Sequence, residues 1–180
     1  MAVAGSIGVI TSAELADGAV TNAKIADSAD IVSSKLATPG KILQVINAVN
    51  TTQSTHSSAT AADLLTAAIT PISTSSKIYV QAVIPFTNAS DGDASFFVER
   101  DSTRLPSAGI TSALINTGGS TNNNAMMSMT GTYIDSPSST SELTYKLKVV
   151  TANATMYINR RGLNTGFTGA TTLTLMEIAG

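Results

Sequence analysis

Lys77-Ile-Tyr-Val-Gln-Ala-Val-Ile-Pro-Phe86 alternates with a period of two, placing Ile78, Val80, Ala82, Ile84 and Phe86 on one side. Successive side chains of a strand point to opposite faces, so the stretch predicts a half-buried β-strand. Pro85 lacks an N–H for the ladder, which predicts an edge position or a bulge there. Glu142-Leu-Thr-Tyr-Lys-Leu-Lys-Val-Val150 repeats the pattern, with Leu143, Tyr145, Leu147 and Val149 on one face.

Further strands are predicted at 42–49, 95–100, 125–134, 155–159 and 171–178, with a weaker signal at 64–70. Turn-rich runs separate them at 71–76, 87–93, 118–124, 135–140 and 164–166. About eight short strands without a long amphipathic helix predict a mainly β fold, an antiparallel β-sandwich of jelly-roll-like type, over residues 41–180. In the last strand Leu173 and Leu175 fall on one side and Met176 and Ile178 on the other. It is therefore either an inner strand or one lying against a neighbouring subunit, with Leu175 and Met176 as candidate interface residues.

Residues 1–40 follow another rule. Ile10-Thr-Ser-Ala-Glu-Leu-Ala16, Val20-Thr-Asn-Ala-Lys-Ile-Ala26 and Ile31-Val-Ser-Ser-Lys-Leu-Ala37 are one repeat written three times. Its large apolar residues Ile10, Leu15, Val20, Ile25, Ile31 and Leu36 come five or six apart. Five helical residues turn through roughly 500°, so these side chains walk around a helix; on a strand they alternate between faces. Thr11-Ser-Ala-Glu14 matches a capping box, and Asp17-Gly18 and Asp27-Ser28 are turn signals. The pattern fits an arm of short turns that docks through those six residues. Short helices packed on the chain's own core and an eleven-residue coiled coil are the alternatives. Thr38-Pro39-Gly40 marks the break to the sandwich.

Composition narrows the function. With 180 residues the chain can bury a substantial core, and with no Cys it has neither disulfides nor thiolate chemistry. Ten Lys plus Arg against twelve Asp plus Glu leave a net charge of -2 and no basic cluster larger than Arg160-Arg161, so no nucleic-acid partner is expected. No apolar run reaches membrane-spanning length and no charged leader precedes one, so neither membrane insertion nor a targeting segment is expected. Only 12% of residues are charged, about half the usual share, while mean hydropathy is +0.21. Such a surface is best explained by coverage from other subunits.

Catalytic and metal chemistry find little support. The sole His, His56, lies in a polar run and reads as exposed and idle. Asp91-Gly-Asp93 beside Asp101 resembles the start of a calcium loop but lacks its downstream Glu, and reads as a turn. No carboxylate pair is singled out for glycoside cleavage, and no cofactor or phosphate-loop motif is present. Arg100, Arg104, Arg160 and Arg161 read as surface charges, and Met126, Met127 and Met129 as adaptable core or interface filler.

The repeat TSAELADGAVTNAKIAD resembles N-terminal repeats of tail-fibre and other virion structural proteins of tailed bacteriophages. The segments PGKILQV, ITPISTSSKIYV, YIDSPSSTSELTYKLKV and TLTLMEIAG resemble their C-terminal module, so the resemblance runs from Thr11 to Gly180. It implies a non-enzymatic appendage protein of the virion, commonly a homotrimer, assembled in the host cytoplasm with other tail or capsid proteins. About forty residues precede the sandwich where fibres usually carry long shafts, which favours a short fibre, a fibre tip or a capsid-surface protein. A fibre would meet a host surface glycan through loops 87–93 and 118–124, with Asn88, Asp91, Asp93, Asn122 and Asn123 as contacts. A capsid decoration, cement or head-fibre protein is the alternative. A carbohydrate-binding module with Tyr133 or Tyr157 as stacking platforms is the other.

Overall fold

The computed structural model describes residues 40–88, 93–105, 115–117, 125–152, 155–163 and 165–180. Among them eleven strands form: β1 Ile42–Asn50, β2 Ser54–His56, β3 Ala62–Ile69, β4 Lys77–Asn88, β5 Asp93–Arg100, β6 Thr103–Leu105, β7 Ile115–Thr117, β8 Met127–Asp135, β9 Leu143–Ala152, β10 Met156–Ile158 and β11 Thr171–Ile178. All eight sequence-predicted strands are present within a few residues. The three-residue strands β2, β6 and β7 are additional.

Registers show how eleven strands make eight positions. β8 pairs with β4 from Ile78 to Phe86, so β11, paired with Lys77–Val83, and β10, paired with Phe86–Asn88, lie end to end along the opposite side of β4. β1 pairs with β11 and β2 with β10, again end to end. In the second sheet β9 runs along all of β5, and β6 and β7 share its other side. Counting each end-to-end pair once, eleven minus three leaves eight positions. The first sheet, A, runs β1/β2, β10/β11, β4, β8; the second, B, runs β3, β9, β5, β6/β7. First pairs with last, second with seventh, third with sixth and fourth with fifth, all antiparallel. This is jelly-roll connectivity, an antiparallel ribbon rolled into two sheets.

One core lies between the sheets. Ile78, Val80, Ala82, Ile84 and Phe86 of β4 face Leu143, Tyr145, Leu147 and Val149 of β9 and Phe96 and Val98 of β5, all buried. Phe86 meets Phe96 edge to face across the gap, ring centroids 5.9 Å apart. Each such side chain contributes about 1.5–3 kcal/mol when fully buried. Leu175 and Leu173 belong to this core. Leu175 is therefore not an interface residue: β11 is an inner strand, and its odd-numbered side points inward.

Pro85 corrects the edge expectation, because β4 is flanked on both sides. Its carbonyl accepts from the Asn159 N–H at 2.9 Å, on the side where β11 gives way to β10. The missing N–H faces that seam and deprives no ladder partner. Gly169 packs on the same ring; a Cβ there would sit 2.5 Å from the Pro85 Cβ.

Polar residues close the sandwich at defined points. Asn159, fully buried with a left-handed φ of 58°, fills the break shared by β1/β2 and β10/β11. Its Nδ2 donates to the carbonyls of Asn50 (2.8 Å) and Thr52 (3.0 Å), and its Oδ1 accepts from the Thr171 hydroxyl at 2.8 Å. At the end where the chain enters, Gly40 takes φ +84° and donates to the Ala179 carbonyl at 2.8 Å. There Asp135 of sheet A accepts from the Arg100 guanidinium and the Tyr145 hydroxyl (2.7 Å) of sheet B. Burial, then the neighbouring Asp135 carboxylate, pushes the Tyr145 hydroxyl well above its ordinary range. Glu177, also fully buried, accepts from Gln44 (2.6 Å) and from the Ile72 N–H (2.7 Å), tying the β3–β4 loop to β11.

Candidate interaction surfaces

The two outer faces of the sandwich differ in how they are finished. On sheet B, Lys148 of β9 bridges Glu99 of β5 at 2.8 Å and Asp63 of β3 at 3.3 Å, and Lys146 reaches Asp63 at 3.1 Å. Phe97, the outward aromatic of β5, lies under the Arg104 guanidinium at 3.8 Å and is buried. The Lys146 ammonium, opposed by partial burial and joined by Lys148, holds the Asp63 carboxyl below its ordinary range. Sheet B thus turns a laced, charged surface to water.

Sheet A does not. Cross-strand partners share a face, so the registers list its outward rows directly. Val45, Met176, Tyr79 and Ile134 form an apolar row across four strands. Asn47, Thr174, Gln81 and Thr132 form the next, and Val49, Thr172, Val83 and Thr130 the third. None of the twelve is charged. A bulge between Ile42 and Gln44 turns Ile42 onto the same face, opposite Ile178. Ile42, Val45, Val49 and Ile134 each leave more than half their surface exposed. Among the described side chains, every exposed large hydrophobic on a strand belongs to sheet A.

One part of that face is covered by the chain itself. Residues 159–163 and 165–170 lie between β10 and β11, where an Arg160–Thr168 bridge joins them and Gly169 packs over Pro85 and Met126. The Thr87 hydroxyl beneath donates to the carbonyls of Ala125 (3.1 Å) and Arg160 (3.2 Å). Leu163 and Phe167 of this excursion are exposed, with Arg161 stacked 4.3 Å over the Phe167 ring.

The described strand ends that flank the loops expected to meet a host lie together by topology. Asn88 ends β4, Asp93 opens β5, Thr117 ends β7 and Met127 opens β8, all at the end opposite Gly40. Asn88 itself is buried and paired with Met156 on β10, so it is not an exposed contact. Asp91, Asn122 and Asn123 lie outside the described residues, as do Ile10, Leu15, Val20, Ile25, Ile31 and Leu36. Asp93 and Asp101 sit at opposite ends of β5, about 25 Å apart, and share no calcium loop. Asp101 instead turns the β5–β6 hairpin at φ 53° and accepts from the Thr144 N–H at 3.0 Å. Among the described residues no three of His, Asp and Glu converge as a metal site.

Other sequence readings shift. His56 is half-buried on β2, its Nε2 2.9 Å from the Ser58 carbonyl oxygen, rather than exposed in a loop. Tyr133 faces the core, and Tyr157 lies under Arg160 at 4.8 Å, so neither offers a bare stacking platform. Arg100 is held inside by Asp135, and Arg104, Arg160 and Arg161 each lie on an aromatic ring, so the four are not ordinary surface charges. Of the two candidate interface residues among the described residues, Leu175 and Met176, Met176 is half-buried on the open outer face of sheet A.

The fold and its outer face, whose one charge among the described strand residues is Lys77 beside Ile178 at the margin, define a jelly-roll sandwich with one unfinished side. No family model and no curated protein matches the chain. Solved structures similar to it include T=1 particles derived from infectious bursal virus (16% identity, TM-score 0.44, 76% of this chain and 36% of that one). Infectious bursal disease virus of the Gt strain (16%, TM-score 0.46, 79% and 39%) and the VP2 subviral particle of that virus (15%, TM-score 0.40, 76% and 38%) are others. The chain thus spans less than two fifths of the length of each.

Proposed function

We propose that this chain is a non-enzymatic structural subunit of a bacteriophage virion, a trimeric tail-fibre or appendage protein. Residues 1–40 form its docking arm and residues 41–180 its outward sandwich. The observation that carries the reading is the outer face of sheet A, three uncharged rows with exposed Val45, Val49 and Ile134, bordered by exposed Ile42, beside a sheet B laced by ion pairs. A lone soluble domain has little reason to leave such a face open; a subunit in an assembly does. The repeat in residues 10–37 supports the arm. Each Leu or Ile it covers contributes about 1.5–3 kcal/mol, less the cost of ordering the arm, and three arms per trimer act together.

The described strand ends that flank loops 87–93 and 118–124, Asn88, Asp93, Thr117 and Met127, lie together at one end of the sandwich, which supports a tip that faces a host glycan. Capsid decoration is the second reading, since an open uncharged patch also suits packing against neighbouring subunits of a shell. Deleting residues 1–37 tests the arm: the truncated chain is expected to fold and to be missing from purified virions. Normal incorporation of the truncated chain overturns the docking role.

A further inference from the structure

We infer that the outer face of sheet A is the contact between copies of this chain, its occupant being the same face of a second copy. The inference deepens the subunit reading above and rests on it. Three observations point to a copy of itself. The three central rows of the face carry no charge and Lys77, beside Ile178, stands at its margin, so the centre neither repels a like face nor selects a charged partner. Its polar groups, Asn47 and Gln81 amides and Thr130, Thr132, Thr172 and Thr174 hydroxyls, both donate and accept, so they satisfy identical groups brought opposite them. Thr174 and Asn47 already show this pairing across strands, hydroxyl to amide oxygen at 3.0 Å.

Area fits as well. Four strands about 4.8 Å apart and about eight residues at about 3.3 Å give roughly 500 Å² of face, so two copies bury about 1,000 Å², the lower bound of a specific interface. The apolar row Val45–Met176–Tyr79–Ile134 crosses the whole width of the sheet and supplies the dry centre. The Leu163 and Phe167 excursion borders the face at its other end. In the trimer each copy turns this face toward the threefold axis, where it meets the same face of its neighbours.

Sedimentation of the full chain tests this, with Val45→Lys and Ile134→Lys on sheet A and Thr66→Lys on sheet B. Wild type and T66K are expected to associate alike, and each sheet A variant at least about tenfold more weakly, because an ammonium enters the dry row. A second measurement needs no disruptive substitution. The chain has no cysteine, so Thr174→Cys gives a single thiol in the centre of the face and Thr66→Cys one on sheet B. Maleimide labelling is expected to slow with protein concentration at position 174 alone. Equal association of V45K and wild type, or concentration-independent labelling of T174C, overturns the inference. Failure of the virion reading looks different: the chain would be missing from purified particles while T174C stayed protected.

Discussion

Replacing Asn159 by alanine should destabilise the sandwich by several kcal/mol. Three side-chain hydrogen bonds disappear, two to the Asn50 and Thr52 carbonyls and one from Thr171. At a net value of about 1 kcal/mol each, their loss costs about 3 kcal/mol. Alanine must also hold the φ of 58°, which asparagine tolerates better than other non-glycine residues, at a further cost of about 1 kcal/mol. The sum, about 3–4 kcal/mol, corresponds to a drop in Tm of about 10–15 °C for a domain of this size. Urea denaturation followed by circular dichroism measures it. N159G separates the contributions, since glycine keeps the backbone and loses only the bonds; it should recover about 1 kcal/mol. A loss below about 0.5 kcal/mol in N159A would refute the role of Asn159 in closing the break between β10 and β11.

Gly169→Ala should cost about 1–3 kcal/mol in the same assay, because the new Cβ meets the stiff Pro85 ring at 2.5 Å; an unchanged midpoint would argue against that packing. Native protein titrated at 295 nm should ionise fewer than its four tyrosines, Tyr145 appearing only on unfolding, and Y145F should remove that late step. Since the folded-state value of Tyr145 is raised, its contribution is complete below the unfolded value of about 10 and is lost as pH climbs above it, so alkaline unfolding should shift in Y145F. Asp63→Asn should cost less than about 1 kcal/mol, because the pair is largely exposed. The depressed Asp63 carboxyl contributes above its unfolded value of about 3.9 and loses that contribution as pH falls, and salt should shrink the difference further.

The strands were legible because one face of each is buried and period two records that burial. Ile78 to Phe86 and Leu143 to Val149 are core residues in the order the alternation requires. Three-residue strands such as β6 and β7 are too short to show a period, and their existence depends on the neighbour they extend. Pro85 misled for a related reason: a proline is confined to edges only where its flanking partner is continuous, and here the partner changes. Asn88, Asp135, Asn159 and Glu177 are polar residues at buried ends, and nothing in local hydropathy separates them from loop residues. Their burial follows from long-range pairing, which composition does not encode. The open face of sheet A was half visible in Met176 and Ile178. Its full width required the registers that bring Val45 and Ile134 into the same row.

Cryo-electron microscopy of gradient-purified virions of the kind proposed to carry the chain tests the central claim most directly. The expected image shows copies of the sandwich grouped on the particle with sheet A turned toward one another and the Gly40 end toward the structure that carries them. Particles that lack the chain, or that hold isolated sandwiches with sheet A facing solvent, would contradict the account.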